Sequence, residues 1–411
     1  MNFEFLIARR LRKAYKHKSS ISTPIIKIAI TVIALGVTMM LITMATGFGL
    51  QKKIREKVVG FNGHLVISNF DNNQSKITQS PIDLHQDFYP NFNMDKEIKH
   101  IQIFATRPGV IRTESDFEGV VLKGVGKEYD WSFISSYLVE GEIPKFGSEL
   151  SKQVVLSQNI ANRLRFKVGQ KCDVFFVNNQ KNKLPKRRVF TIVGIYDTGF
   201  EEFDKNLMIG DIRQVQKLNQ WQEDQVGGFE VFVDDFENLI PISDQIYHQI
   251  DASLDSRNLF EQYPQIFEWL KLFDGNIAMI IMIMIVVAGI NMITALLVLI
   301  LERTQLVGVL KTMGAHSWSI RKIFLHNASY IISRGLFFGY LIGLFLLFVQ
   351  YKFQVVTLDP KNYYVHVAPV YINISHVILL NIGTLLFCVL MMLVPSVIIT
   401  KISPAKSVKF S

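Results

Sequence analysis

Four stretches of this chain are apolar for longer than a strand or an ordinary core helix needs. Residues 28–48 carry no charge over 21 residues, and residues 277–301 carry none over 25. Residues 328–349 carry one, Arg334, and residues 377–400 carry none. About 20 apolar residues in a helix cross the roughly 30 Å hydrocarbon core of a bilayer. The pattern therefore predicts four spanning helices, at 25–50, 275–301, 328–350 and 377–400. Arg334 costs about 2.5 to 3.5 kcal/mol at a bilayer centre, less than the apolar residues around it gain, and it sits close enough to a helix end to snorkel. The first span follows a charged leader and continues into "GFGLQKKIREK" with no small-x-small cleavage site, so it reads as an anchor rather than a removed signal. Within the leader, 1–24, a helical period puts Phe3, Leu6, Ile7, Leu11 and Ala14 on one face beside arginines, which suits a helix lying in a membrane surface.

Between the first two spans, residues 51–274 change period. "GHLVIS" (63–68), "GVVLKGV" (119–125), "CDVFFV" (172–177), "RVFTIVGIY" (188–196) and "FEVFVD" (229–234) are rich in Val, Phe and Ile and predict strands. "SQNIANRLRF" (157–166), with Ser157 as its cap, and "DIRQVQKLNQW" (211–221) predict short helices. The segment is thus a large α+β domain. Residues 178–188, "NNQKNKLPKRR", join two strand-like runs and predict a long exposed hairpin loop carrying Lys181, Lys183, Lys186, Arg187 and Arg188 around Leu184 and Pro185.

Charge gives the topology. The leader, the 302–327 segment and the 401–411 tail hold 13 basic residues and two acidic ones, Glu4 and Glu302, whereas 51–274 holds 27 basic and 32 acidic. Basic residues stay in the cytoplasm. Both termini and 302–327 are therefore expected there, with 51–274 and the short 351–376 loop outside. The formal net charge of +9 belongs to this asymmetry, not to nucleic-acid binding. Cys172 lies outside and Cys388 within a span, too far apart in the topology to pair, and no Cys/His spacing suggests a metal site. The chain has no phosphate-binding loop and no metalloprotease or serine-hydrolase motif. No catalytic residue and no cofactor in this chain are expected, so any active work must draw energy from a partner.

Smaller features sit inside the spans. Gly335, Gly339 and Gly343, four residues apart, let a second helix approach closely, from this chain or from another subunit. Asn291 and Thr294 are expected to hydrogen-bond between helices. Met39, Met40, Met44 and Phe48 suggest an adaptable apolar wall, or ordinary packing. Between the second and third spans, Leu306, Val309, Leu310 and Met313 recur at i, i+3, i+4 and i+7, one face of a short helix with Gly314 as its cap. Such a helix either lies on the membrane or plugs a groove on a soluble partner.

This last segment, "ERTQLVGVLKTMGAHSWSIRKIF" (302–324), resembles the signature of FtsX-like ABC-transporter permeases, with Gln305-Leu306 where that family has Glu-Ile. The ending "SPAKSVKF", at Pro404 and Ala405, is similar too, and so is the order of one span, a large outer domain and three spans. "VVLSQNIANRLRFKVGQKCDVFF", "FTIVGIYDTGFEEFDKNLMI" and "VGGFEVFVDD" resemble the lipoprotein-releasing permeases of the LolC and LolE family. The resemblance implies four transmembrane helices and a MacB-like periplasmic core in the bacterial inner membrane. It implies a separate cytoplasmic ABC ATPase, LolD-like, binding the ATP and Mg, and a second permease subunit, identical or paralogous. It implies a lipoprotein substrate taken from the outer leaflet, with acyl chains against Met40, Met44 and Phe48, and a LolA-like periplasmic carrier. Glu302, Arg303, Leu306, Val309, Leu310, Met313 and Gly314 would couple to the ATPase, and the loop Lys183, Leu184, Pro185, Lys186, Arg187 and Arg188 would bind the carrier. Export or sensing of antimicrobial peptides or other amphiphiles, and FtsX-like control of an outer hydrolase, are the alternatives.

Overall fold

A computed structural model describes residues 3–14, 22–74, 79–90, 92, 97–177 and 184–401. The chain opens with helices α1 (Phe3–Ala14) and α2 (Ser22–Asn62) and strands β1 (Leu65–Asn69), β2 (Ile82–Asp83), β3 (Ile98–Arg112) and β4 (Phe117–Val125). It continues through α3 (Ser132–Ser136), β5 (Leu138–Gly141), β6 (Gln153–Ser157), α4 (Gln158–Leu164), β7 (Lys171–Phe176), β8 (Lys186–Tyr196), α5 (Glu201–Asp204) and β9 (Leu207–Asp211). Next come α6 (Ile212–Asn219), β10 (Gln225–Val226), β11 (Gly228–Val233), α7 (Leu239–Gln249), β12 (Leu254–Asn258) and α8 (Leu259–Gln262). The C-terminal part is helical: α9 (Pro264–Glu302), α10 (Thr304–Thr312), α11 (Ser317–Phe353), α12 (Pro360–Tyr363), α13 (Ile374–Ser396) and α14 (Ile398–Lys401).

Contacts divide the chain into two compact units, one of residues 1–51, 269–357 and 367–411, the other of residues 52–268 and 358–366. The first unit is a helix bundle. Four of its helices, α2, α9, α11 and α13, are long and apolar enough to cross a membrane. Three of them outrun the predicted spans, because nothing in their sequence stops the helix at the bilayer edge. In α2 the extension "QKKIREKVVGFN" buries Gln51, Ile54, Val58 and Phe61, a continued helical stripe. The sequence places Ser317 as the cap of a helix running into the third span, and α11 does start there and continue unbroken through the span. Ser317 is its first residue, and the cap position falls on His316, whose side chain makes no capping bond. The leader helix α1 packs on α11 through buried Ala8 and an edge-on contact of Phe5 with His326, ring centroids 6.1 Å apart.

The three glycines of α11 settle which helix they admit. A Cβ on Gly335 would lie 2.6 Å from Ile33, one on Gly339 would lie 2.7 Å from Val37 and 2.8 Å from the Ala34 carbonyl, and one on Gly343 would lie 3.1 Å from Leu41. They seat α11 on α2 of the same chain, and Thr38 Oγ1 donates to the Gly339 carbonyl at 3.0 Å across the contact. Gly339→Ala must push backbone, so it is expected to lower stability by about 1–3 kcal/mol. A reduced melting temperature of the detergent-purified chain checks this.

The second unit is a ten-stranded mixed sheet in the order β12-β1-β11-β3-β4-β9-β6-β8-β5, with β7 pairing both β3 and β8. The path β3–β4–β9–β6–β8–β7 returns to β3, closing a six-stranded barrel, and β11, β1 and β12 continue from the other half of β3. Closure removes free strand edges. The barrel interior takes Val120, Leu122, Val154, Cys172, Phe190 and Met208. Cys172 is accordingly buried, and burial pushes its thiol up to about 12, so it is closed to labelling. Ser157 caps α4, accepting from Ile160 N at 3.2 Å, as the sequence predicts. The 358–366 segment, read from sequence as plain loop, belongs to this unit: Tyr364 stacks on Phe200 at 4.7 Å and its carbonyl accepts from Lys57 Nζ at 2.7 Å.

Candidate functional site

In the helical unit, α10 with its flanks joins two of the long apolar helices, α9 and α11. It ends in a tight turn in which Gly314, at φ +86°, donates to the Lys311 carbonyl at 3.1 Å while Ala315 N donates to Leu310 O at 2.9 Å. That backbone favours glycine, and the predicted cap stands. The predicted stripe does not act as one face. Val307 and Leu310 are buried in the bundle core and Leu306 is half-buried against it, whereas Val309 is 44% and Met313 78% exposed. The core-facing side is rotated toward Val307, which the i, i+3, i+4, i+7 pattern left out. Two apolar residues therefore remain on the outside of α10, with Trp318 also exposed just beyond the turn. Glu302 closes α9 and Arg303 stands between the two helices.

In the sheet unit the predicted hairpin exists, but it is shorter. Lys186, Arg187 and Arg188 are strand residues paired with Phe176, Phe175 and Val174. Regular pairing continues this far because β8 is one unbroken strand whose first half, Lys186–Thr191, pairs with β7. Two of the charges are engaged: Arg187 Nη2 meets Asp173 Oδ2 at 2.7 Å, and Lys186 Nζ donates to the Leu218 carbonyl at 2.9 Å. Leu184, 88% exposed, and Pro185 lead into the strand. Lys181 and Lys183 lie outside the described residues.

The acyl-chain wall is not formed by the residues named for it. Met40 and Met44 are buried in the bundle core, because α2 turns that face to α9 and α11, and Phe48 packs its ring 4.7 Å from His376. Met39 is the methionine that faces out. Asn291 and Thr294 bond within their own helix, to the Val287 carbonyl at 2.9 Å and the Ile290 carbonyl at 3.2 Å, not between helices. Each reaches its own i−4 carbonyl without a partner helix.

The sequence profile of the MacB-like periplasmic core domain matches residues 28–249, and that of the FtsX-like permease C-terminal region matches residues 278–404. The first takes in more than half of the 411 residues. The chain belongs to the permease family with a MacB-like periplasmic core domain. It is similar to the lipoprotein-releasing system transmembrane protein LolE of Haemophilus influenzae, 22% identical over 419 residues that cover 99% of both chains. It is also similar to LolC of Xylella fastidiosa, 19% identical over 391 residues that cover 92% of both. Among solved structures, the periplasmic region of MacB from Actinobacillus actinomycetemcomitans aligns at 15% identity and TM-score 0.34, over 50% of this chain and 92% of that one. With its four apolar helices, this permease is a multi-pass inner-membrane protein with a periplasmic domain.

Two polar clusters of the permease's periplasmic domain went unread in the sequence. Lys123 and Glu230, inside two predicted strands, form a buried ion pair at 2.5 Å. Their signal was a lone charge of each sign in an otherwise apolar run. Asp204 is buried and accepts from Thr198 Oγ1 at 2.8 Å and from the backbone N of Thr198 and Phe200 at 3.1 and 3.2 Å. Burial raises its carboxyl to about 6, against those hydrogen bonds. The folded permease then holds a proton that the unfolded chain has released. This contribution is complete below about pH 4 and lost as pH rises through about 6, on the order of 3 kcal/mol in all. Wild-type melting temperature should fall between pH 4.5 and 7 relative to Asp204→Asn. Parallel pH profiles of the two proteins would exclude the shift.

Proposed function

We propose that this chain is a permease subunit of an ABC transporter that takes lipoproteins from the outer leaflet of the inner membrane and hands them to a periplasmic carrier. The observation that supports it most is similarity to LolE and LolC proteins over nearly the full length of both chains. A separate LolD-like ATPase binds ATP and Mg and docks on α10 at the cytoplasmic face, where both termini also lie. Two permease subunits, identical or paralogous, pair in the membrane. The chain passes from the helical unit to the periplasmic unit within α2 and returns just inside α9, so motion of α10 has a covalent route outward. Work at the outer domain is mechanical, and no reaction is catalysed in this chain.

The β7–β8 hairpin is the carrier contact in this reading. Leu184 is an apolar side chain held almost wholly in water beside exposed Pro185, and Arg187 stays 60% exposed next to it. An apolar anchor with a basic rim suits an acidic protein partner. Replacing Leu184 and Pro185 with Gly should reduce carrier binding at least roughly tenfold, since burying one leucine contributes about 1.5–3 kcal/mol. Reconstituted vesicles holding the permeases, the ATPase and a lipoprotein provide the test: ATP should transfer lipoprotein to soluble carrier, and the hairpin variant should hydrolyse ATP without transfer. Absence of transfer by the wild-type complex would overturn the lipoprotein reading. Normal transfer by the variant would remove the hairpin from it.

A further inference from the structure

An open groove of about 650 Å³ runs between α2 and α11. Met39, Ile42, Phe338, Ile342 and Leu346 line it, with Lys27 and Arg334. The successive contacts of Gly335, Gly339 and Gly343 with Ile33, Val37 and Leu41 show that the two helices run in the same direction. Arg334 therefore stands level with the Ile30–Ile33 turn, and Lys27 about one turn below it. Both cations share one end of the groove. Arg334 lies over the Tyr330 ring at 4.7 Å. Among the described residues no carboxylate pairs with Arg334 or Lys27. Beyond them the walls are apolar save for two threonines, and Thr38 already donates to Gly339. From Arg334 to Leu346 is about 18 Å at 1.5 Å per residue, close to the hydrocarbon depth of one leaflet.

Two cations without a carboxylate partner among the described residues, at the end of a one-leaflet apolar groove, match an amphiphile with an acidic head. A helix of a second copy would instead cover both charges without a counter-charge, which is costly in a membrane. The periplasmic domain follows the C-terminal end of α2, so Lys27 lies toward the cytoplasmic leaflet. We propose that this groove binds one anionic phospholipid of the cytoplasmic leaflet, its phosphate between Lys27 and Arg334 and an acyl chain along Met39, Phe338 and Ile342. The site is independent of the lipoprotein reading, whose substrate enters from the opposite leaflet.

Native mass spectrometry of the full-length purified permease, titrated with phosphatidylglycerol or phosphatidylcholine, tests this. The wild type should retain one phosphatidylglycerol in preference. Lys27→Gln with Arg334→Gln should lower that preference roughly tenfold or more. Ile342→Trp, which fills the groove and keeps both charges, should weaken retention of either lipid. Equal retention of the two lipids by the wild type would overturn the proposal. So would an unchanged preference in the double variant, or an altered oligomeric state in the variants without a change in lipid, which would assign the groove to a second copy.

Discussion

Charging the outer edge of α10, with Val309→Asp and Met313→Asp together, is expected to strip the ATPase from the permease and leave the permease in the membrane. Both side chains are exposed, so the bundle loses no core contact when they change. A partner that covers them must desolvate two carboxylates in an apolar groove, at several kcal/mol each. Affinity should drop by roughly a thousandfold or more, enough to abolish co-purification. Leu310→Asp would look equivalent from the sequence stripe, but Leu310 is buried in the bundle. That variant would damage the fold and the docking edge together and separate neither. Alanine at 309 and 313 should weaken the complex without dissolving it. Full ATP turnover and an intact complex in the doubly charged variant would move the contact elsewhere, with exposed Trp318 the next residue to change.

The sequence was most legible where one physical constraint acts alone. A bilayer demands long uncharged helices, and the four spans follow from that demand. Strands β1, β4, β7, β8 and β11 were visible because β-branched and aromatic residues concentrate in them. The 15-residue β3 was not, since "IKHIQIFATRPGVIR" mixes charges, Pro108 and Gly109 into the run. Its Pro108 and Gly109 fall where β3 leaves β11 and turns into the barrel, paired there with β4 and β7. Which face of a helix points inward proved hardest to read. For α10 and for Met40 and Met44 of α2, apolar residues lie on both sides of the boundary between core and surroundings. Composition cannot place that boundary; packing against the neighbouring helices does. The hairpin was visible as a loop, but the strand pairing that absorbs Lys186, Arg187 and Arg188 depends on a partner strand, and a loop signal holds no information about it.

The largest effect on stability is expected from Lys123→Met in the periplasmic domain. Lys123 on β4 and Glu230 on β11 reach each other across the intervening β3, from which Gln102 Nε2 donates to the second Glu230 oxygen at 2.8 Å. Both charged side chains are nearly inaccessible to water. Removing only the lysine leaves a buried carboxylate with Gln102 as its remaining side-chain partner, a change that costs about 3–5 kcal/mol. For a domain of this size that corresponds to a fall of roughly 10 °C in melting temperature. Lys123→Met with Glu230→Gln removes both charges and should recover most of the loss, because a neutral pair of similar volume often matches a buried ion pair. A single variant that melts like the wild type would mean that the pair is hydrated. The same ammonium also donates to the Phe61 carbonyl, at 2.5 Å, in the last turn of α2. The double variant keeps the stability but not this bond. If the end of α2 transmits force to the sheet through it, the double variant should hydrolyse ATP at the wild-type rate in the reconstituted complex and transfer lipoprotein several-fold more slowly. Transfer at the wild-type rate would reduce Lys123 to a structural residue and place the transmission elsewhere along the helix.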